Sequence, residues 1–233
     1  MSARGDAPRR DGAAGGHAAA NAAGGHAAAD AAAAIPALIS AGRRVGAKQL
    51  TWGTAGNISA RVPGGFVITA SGARLDELTP DSLITCSLEG ALPAGCSVES
   101  GLHRGVYLAR PDVNAVLHSS AFHTTLVACS AIELETAAST DTEFYLRRLA
   151  RLPFLPPGSP ELAQAVADAA AEHDVMLLAN HGSVAIAAGV DAAVNVTEAL
   201  ELMCRMLVAR AQGFPLLPIA EDQRVGALTR MDE

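Results

Sequence analysis

The sequence predicts an α/β fold in which a central, mostly antiparallel or mixed β-sheet is covered by helices on both faces. Three observations support this fold class. Segments with helical spacing of apolar residues recur along the chain, short runs rich in Val, Ile and Leu lie between them, and tight turns join neighbouring runs as hairpins. Helices and strands therefore come in a mixed order, which fits such a sheet better than a regular strand–helix–strand series.

Length and composition define the folded unit. The 233 residues fit one domain with tails, and with 50% apolar but only 3% aromatic residues the core must be built from Ala, Val, Leu and Ile. Residues 1–30 are rich in Ala, Gly and His without apolar periodicity, so we expect a disordered low-complexity tail there. We expect a single domain over residues 31–218 and a C-terminal tail over residues 219–233.

Charge and cysteine usage argue against several classes of protein. Lys and Arg number 17 against 24 Asp and Glu, a formal net charge of −7 without a long basic run, which disfavours a nucleic-acid or membrane-surface partner. No stretch reaches the roughly 20 consecutive apolar residues of a membrane-spanning helix. Because we find no secretory signal and the four cysteines form no Cys-x-x-Cys pair, we expect reduced thiols in a cytoplasmic protein.

Each element of the first half has a local signal. Ile35, Leu38 and Ile39 recur at helical spacing. The turn Pro-Gly-Gly at residues 63–65 joins a hairpin, and Pro111 stops a helix. The elements expected up to residue 129 are a helix over 31–46, a hairpin of strands ending at 61 and starting at 66, a strand over 83–88, a helix over 98–109, a strand over 114–118 and a helix over 122–129.

The second half begins with an unclear segment, because residues 130–157 show an acidic character but no periodicity. Ser159 then predicts a helix cap, with Pro160 at the first helical position. In the last helix we expect Glu201 and Arg205 to pair across one turn on the outer side. The elements expected here are a helix over 160–172, a strand over 175–179, its antiparallel partner over 183–187 and a helix from a cap at residue 191 to residue 213.

Two histidines stand where predicted strands end. His118 and His181 each follow an apolar run and precede small residues, which would display them at an edge of the sheet. Taken singly, a histidine in such a place more often has a structural role. Together with Glu99, at the start of the helix that precedes His118, they supply two imidazoles and a carboxylate, a set suited to divalent transition metals.

Four stretches carry motifs of a known family. They are Gly-Thr-Ala-Gly-Asn-Ile-Ser at 53–59, Ile-Thr-Ala-Ser-Gly at 68–72, Glu99-x-x-x-His103 with the following Arg-Pro-Asp turn and strand to His118, and Asn-His-Gly at 180–182. In this order they make the sequence resemble the class II aldolase/adducin family from about residue 35 to residue 213. The resemblance implies a class II aldolase-like fold and lyase chemistry.

The resemblance also implies a metal centre. In aldolases of this family three histidines and a glutamate serve a zinc ion that polarises a ketone and hydroxyl of the substrate. By position His118 and His181 are metal ligands, and Glu99 is a ligand or the general base. Ser120 stands where the third histidine is expected. We therefore expect a divalent ion held by Glu99, His118 and His181, Zn²⁺ first, with Mn²⁺, Fe²⁺ or Co²⁺ as alternatives.

Substrate-binding residues follow from the same resemblance. Those that would cradle a phosphate through hydroxyls and backbone amides are Thr54, Asn57, Ser71, Gly72 and Ser97. We add Ser120 and His123 as candidate substrate-binding residues. If Glu99 binds the metal, either His123 or His103 becomes the candidate general base. His103 could instead have a structural role, in which it hydrogen-bonds a neighbouring loop. Val98 replaces a second hydroxyl of the cradle, so a carboxylate or an unphosphorylated hydroxy-ketone fits better than a typical sugar phosphate.

The resemblance implies a homotetramer in which a neighbour's tyrosine can donate a proton. Tyr107 lies on the inner side of its predicted helix, which leaves Tyr145 as the second candidate catalytic residue beside Glu99. Residues 214–218 lack a helical pattern and are considered as a contact with another subunit.

Three functions are compatible with these residues. The first is a metal-dependent lyase that cleaves or forms a carbon–carbon bond next to a carbonyl of a small hydroxy-carbonyl substrate, by aldol or retro-aldol chemistry. The second is a decarboxylase or epimerase that uses the same metal-stabilised enolate. The third, a non-catalytic adducin-like domain, is disfavoured because it leaves no role for the retained Glu99, His118 and His181.

Overall fold

The computed structural model describes residues 31–224 of the chain. The predicted tail over residues 1–30 and the end of the predicted C-terminal tail, residues 225–233, lie outside the described residues. Within the described part, one sheet of seven strands is packed between helices. No helix of this part is long and apolar enough to cross a membrane.

The predicted helices and strands are present, with ends that differ by no more than two residues. The helices are α1 (Ala31–Ala47), α2 (Ser100–Ala109), α3 (Phe122–Ala128), α4 (Thr140–Leu146), α5 (Pro160–Ala170) and α6 (Val190–Ala211). The strands are β1 (Asn57–Val62), β2 (Gly65–Thr69), β3 (Leu83–Ser87), β4 (Ala115–Ser119), β5 (Leu149–Leu152), β6 (Val175–Leu178) and β7 (Gly182–Ala187). Short 3-10 helices cover Leu75–Glu77, Pro80–Ser82 and Thr136–Ala138. The segment without a clear pattern thus contains α4 and β5.

The strands follow the spatial order β3-β2-β1-β4-β7-β6-β5. All neighbours are antiparallel except β5 and β6, which are parallel. The predicted mostly antiparallel or mixed sheet is therefore confirmed. Strand β1 pairs with β4 so that Asn57 lies opposite His118, and β4 pairs with β7 so that His118 lies opposite Val184. This register brings the start of β1 and the end of β4 to the same edge of the sheet.

Helices cover both faces of the sheet, as predicted. Because side chains alternate along a strand, Val67 packs toward α1 while its neighbours Phe66 and Ile68 pack toward α2 and α5. Helices α3, α4 and α6 extend the first face over the buried Val175 and Leu177 of β6. The candidate site residues described below lie at one edge of this sheet, between the two layers of helices.

The predicted pair of Glu201 and Arg205 is present, but the prediction that Glu201 lies on the outer side is wrong. Its carboxylate is buried and accepts hydrogen bonds from the backbone N–H groups of His123 and Thr124, at 3.2 and 2.9 Å. These donors open α3, whose first flanking residue, Ala121, has no side chain that could cap them. Glu201 supplies the missing acceptor from α6, and Arg205 lies 4.0 Å from it on the exposed side. Helical spacing alone cannot reveal such a partner.

The ends of α6 differ slightly from prediction. Gly189 is the residue before the first turn, and the expected cap Asp191 lies within that turn, where a carboxylate still complements the helix dipole. Beyond α6, Phe214 is exposed. Ile219 donates its backbone N–H to Ala137 at 2.8 Å. The first residues assigned to the C-terminal tail therefore contact the domain.

Candidate metal centre

The candidate metal centre lies where four segments meet at one edge of the sheet. Asn57 begins β1, Glu99 flanks the first turn of α2, His118 lies near the end of β4 and His181 occupies the turn between β6 and β7. These segments border a pocket of about 320 Å³. The predicted site residues that line it are Thr54, Asn57, Ser71, Gly72, Ser97, Glu99, His118, Ser120 and His181.

Three of these side chains converge with their ligand atoms within 4.8 Å of one another. His118 Nε2 lies 3.2 Å from Glu99 Oε2, and His181 Nε2 lies 3.5 Å from Glu99 Oε1. The two imidazole rings approach edge to face, with their centroids 4.7 Å apart. Glu99 is only 5% exposed, so its charge requires a close partner of opposite charge.

The hydrogen bonds around this cluster leave lone pairs aimed at its centre. His118 Nδ1 lies 2.9 Å from the carbonyl oxygen of Ser183, which can only accept, so Nδ1 carries a proton. In a neutral ring, the form that a metal binds, Nε2 then presents a lone pair to Glu99. Glu99 Oε1 and His181 Nδ1 are buried without a hydrogen-bond partner among the described residues. With a neutral His118 ring, Nε2 and Glu99 Oε2 are two acceptors 3.2 Å apart, and a cation between them would satisfy both. The donor set, two nitrogens and a carboxylate, therefore fits a divalent transition metal.

The electrostatic environment favours neutral imidazole at His181. Burial, and after it the nearby His118, lowers the pKa of His181, while the Glu99 carboxylate acts in the opposite direction. A neutral imidazole keeps the lone pair that a metal requires. The site is thus arranged to bind a cation at the imidazole lone pairs, and Glu99 is the only acidic side chain among the described residues that line the pocket.

The glycine-rich loop before β1 is held close to the metal centre. Gly56 has a φ of +82°, and a Cβ atom built there would lie 2.7 Å from the carbonyl oxygen of His118. Only glycine combines this left-handed backbone with so close an approach. Gly182, beside His181, is constrained by close approach alone, because a Cβ there would lie 2.4 Å from the carbonyl oxygen of Ser119. Both glycines let loops pack directly onto the end of β4.

Comparison with known proteins agrees with this geometry. The family described as the class II aldolase and adducin N-terminal domain matches residues 36–208. The chain belongs to the class II aldolase and adducin family. The resemblance predicted from four sequence motifs, and the fold that it implies, are therefore confirmed.

Relatives within this family are enzymes. A 5-methylthioribulose-1-phosphate/5-deoxyribulose-1-phosphate aldolase of Escherichia coli is 37% identical over 157 residues, which cover 64% of this chain and 71% of that protein. A 3-oxo-tetronate 4-phosphate decarboxylase of Haemophilus influenzae is 30% identical over 171 residues, covering 70% and 81%. The crystal structure of an L-fuculose-1-phosphate aldolase from Thermus thermophilus superposes with a TM-score of 0.72 at 30% identity, covering 78% and 98%. The prediction of a class II aldolase-like lyase is confirmed at this level.

The structure does not bring every predicted residue to the metal centre. His123 is not among the lining residues, and its Nδ1 lies 2.7 Å from Glu201. Tyr145 lines a different pocket, beside Arg148 and Asp174. Tyr145 of one chain therefore does not reach that chain's own metal centre, and it could act only in the metal centre of a neighbouring subunit.

His103 lies one layer behind the metal centre. It is fully buried, and its Nε2 lies 2.5 Å from Asn57 Oδ1 while its Nδ1 lies 2.6 Å from Ser59 Oγ. Its partners are therefore side chains of β1, not the loop that the sequence suggested. A base that is enclosed in this way has no access to substrate.

Sequence reasoning missed two apolar residues of the pocket. Trp52 is 69% exposed and lines the pocket beside the glycine-rich loop, and Pro157 lines it from the segment before α5. Trp52 is the only tryptophan of the chain and directly precedes the first motif stretch, which was a usable signal. Pro157 gave none, because it falls in the segment without a clear pattern.

Proposed function

We propose that this protein is a metal-dependent lyase that cleaves or forms a carbon–carbon bond next to a carbonyl of a small hydroxy-carbonyl substrate. The observation that carries the proposal is the convergence of Glu99, His118 and His181 in the lining of one pocket, with Glu99 Oε1 and His181 Nδ1 unpartnered among the described residues. Aldolase and decarboxylase relatives support the class of reaction.

The metal would be held by His118, His181 and Glu99, and when bound it supplies Lewis-acid polarisation of a substrate oxygen. Glu99 has different environments at its two oxygens. Asn57 donates to Oε2 at 3.0 Å, whereas Oε1 has no hydrogen-bond donor in the described part of the chain and is free to take a proton from a substrate hydroxyl. The proposal assigns proton transfer to this oxygen.

The wall of the pocket would bind the remainder of the substrate. Thr54, Ser71 and Ser120 offer hydroxyl groups, and Gly72 offers a backbone unencumbered by a side chain. None of the described residues that line the pocket is Lys or Arg. An anionic group must therefore be bound by hydroxyls, amides and the metal alone, which favours a small carboxylate or an uncharged hydroxy-ketone over a doubly charged phosphate.

Decarboxylation is the second candidate function. It is favoured by the relative from Haemophilus influenzae, which is named a decarboxylase and is 30% identical over 171 residues. The same pocket would serve both reactions, because in each the electron pair of the breaking carbon–carbon bond forms an enolate whose negative charge develops on the carbonyl oxygen. The two reactions differ in the fragment released, which is an aldehyde in one case and carbon dioxide in the other.

Finer assignments belong to the same proposal. We assign Zn²⁺ as the first metal, with Mn²⁺, Fe²⁺ or Co²⁺ as alternatives, because two imidazoles and one carboxylate suit all four. We assign a homotetramer in the cytoplasm, with Tyr145 as a proton donor to a neighbour's site. Tyr145 is 38% exposed, so a second subunit has access to it. Sedimentation of the purified chain, with Tyr145→Phe assayed in parallel, tests both the assembly and the donor.

The deciding experiment measures metal content and product. The purified chain is assayed with phosphorylated and unphosphorylated hydroxy-ketones and with 3-oxo acids, before and after treatment with a chelator, and with His181→Ala as the variant. We expect about one divalent ion per chain, activity that is lost with chelator and restored by metal, and an inactive variant. Release of an aldehyde identifies the aldolase, and release of carbon dioxide identifies the decarboxylase. Activity that persists without divalent metal contradicts the proposal.

A further inference from the structure

A chain of buried side chains runs from Tyr107 to Glu99 behind the pocket. Tyr107 Oη lies 2.7 Å from Ser59 Oγ, which lies 2.6 Å from His103 Nδ1. His103 Nε2 lies 2.5 Å from Asn57 Oδ1, and Asn57 Nδ2 lies 3.0 Å from Glu99 Oε2. All five side chains are buried. Each polar atom of this chain therefore depends on its neighbour in the protein, with little competition from water.

The carboxylate at one end fixes the direction of every hydrogen bond. Glu99 can only accept, so the Asn57 amide must turn its NH₂ group toward Glu99 and its oxygen toward His103. That oxygen also only accepts, so His103 carries its proton on Nε2. In a neutral ring Nδ1 then accepts from Ser59. Because the Ser59 proton is committed, Tyr107 donates its hydroxyl proton to Ser59.

These hydrogen bonds require a neutral His103 ring and a protonated Tyr107 hydroxyl, and the burial of both side chains favours these forms. Desolvation, assisted by the proximity of His118, lowers the pKa of His103 to about 3, so the ring is neutral at physiological pH. Burial also raises the pKa of Tyr107, which keeps its hydroxyl proton available as a donor. Neither group is poised to exchange protons with substrate.

We propose that His103 is a positioning residue for the metal centre: by donating to Asn57 it fixes the amide that holds Glu99 Oε2 and leaves Oε1 free. The inference rests on the proposed function, because it assumes that Glu99 serves a metal. It assigns Asn57 to the same task. Asn57 Oδ1 and one N–H of its amide are bonded within the protein. Asn57 therefore acts on Glu99, and the second N–H of the amide is left as a donor for substrate in the pocket that Asn57 lines.

Removal of the His103 ring should leave Asn57 Oδ1 buried without its donor, so that the amide keeps only its bond to Glu99. An amide held at one end alone can shift, and Glu99 Oε2 then has a less fixed partner. A glutamine at position 103 carries both a donor and an acceptor, so it can satisfy Asn57 and Ser59 in the same sense, whereas a leucine of similar size satisfies neither.

The test measures binding of Co²⁺ to the full-length protein, by competition with a chromophoric chelator and by the visible spectrum of the bound ion. We expect His103→Leu to weaken Co²⁺ binding roughly tenfold and to change the spectrum. His103→Gln should stay within about threefold of the unmodified protein. Equal weakening by both variants means that the ring is needed only for its shape and overturns the inference. Unchanged affinity and spectrum in a folded His103→Leu protein also overturn it.

Two further variants keep the test decisive. Thr197→Val removes another buried hydroxyl, which donates to Ala193 at 2.8 Å in α6 and does not line the pocket. We expect this control to leave Co²⁺ affinity unchanged. If His103→Leu fails to fold, Ser59→Ala replaces it, with an expected weakening of about threefold, and unchanged affinity then overturns the inference. Failure of the unmodified protein to bind Co²⁺ contradicts the proposed function itself, which separates the two claims.

Discussion

Two buried glutamates, each beside a histidine, have opposite surroundings in this protein. Glu201 receives the N–H groups of His123 and Thr124, the Thr124 hydroxyl at 2.9 Å and His123 Nδ1 at 2.7 Å. Among residues 31–224, the Glu99 carboxylate receives a single hydrogen-bond donor, from Asn57, and it faces imidazole nitrogens on its remaining side. The two carboxylates are therefore almost equally buried, but they differ greatly in the number of hydrogen bonds that they accept. A carboxylate surrounded by donors holds the fold together, and one left short of donors is available for a metal or a proton.

This difference predicts that the isosteric change Glu99→Gln removes function while sparing the fold. The amide keeps the size of the side chain but loses the charge that faces His118 and His181, so we expect kcat/KM to fall by about 10²–10⁴-fold. Metal affinity should fall with it. Thermal unfolding of the variant should be close to that of the unmodified protein, because Glu99 Oε1 has no hydrogen bond to lose. Activity within tenfold of the unmodified protein would show that Glu99 is not catalytic.

The corresponding change Glu201→Gln should have the reverse outcome. An amide offers one accepting oxygen to a cluster of donors that uses two, so at least one buried donor of α3 loses its partner. We expect a loss of about 1–3 kcal/mol in the free energy of unfolding, measured with urea. Activity per folded molecule should remain within about threefold, since neither Glu201 nor its partner His123 lines the pocket. A catalytic defect larger than the stability loss would contradict the comparison.

The pH dependence of stability tests whether His103, behind the metal centre, is held in its neutral form. His103 has a pKa of about 3 when folded, against 6.5 when unfolded, so the unfolded chain binds the extra proton between these values. Because the unfolded chain binds this proton, the free energy of unfolding is highest above pH 6.5. It falls with decreasing pH below that value, by about 1.4 kcal/mol per pH unit from this group. His103→Gln removes that slope.

Unfolding of both proteins is followed with urea at pH 7 and pH 5, in the presence of a chelator so that bound metal does not contribute. The difference in free energy of unfolding between the unmodified protein and His103→Gln should be smaller at pH 5 than at pH 7, because only the unmodified protein is destabilised by titration of His103. Thr197→Val is the control, and its difference from the unmodified protein should not depend on pH. A pH-independent difference for His103→Gln would mean that the ring is not held neutral.

How much was predictable from sequence depends on how local each signal is. His118 and His181 end apolar runs, and the four motifs add Glu99, so the residues of the metal centre could be predicted from short stretches of sequence. The inward direction of Glu201 could not, because its partners at the start of α3 lie 77 and 78 residues away. Its position on a helix surface suggested solvent, and only the packing of α3 against α6 supplies the donors.

The same reasoning explains the segment without a clear pattern. Strand β5 lies at the edge of the sheet, pairs only with β6 and is partly exposed, so its sequence shows no alternation of buried and exposed residues. Helix α4 is seven residues long, and its cap Ser139 is paired with Thr142 in place of the Glu or Gln of a typical capping box. Short elements at the edge of a fold carry too little periodicity to be predicted.

The smallest expected effect concerns Arg205, the partner on which the sequence interpretation of Glu201 rested. Arg205 is 64% exposed and only 4.0 Å from Glu201 Oε1, an oxygen that is already bonded by His123. An exposed ion pair of this kind contributes little, so Arg205→Ala should change the free energy of unfolding by about 0–0.5 kcal/mol. Urea unfolding beside Glu201→Gln measures both. If the two variants lose equal stability, Glu201 acts through its charge on the surface, and the contrast with Glu99 loses its basis.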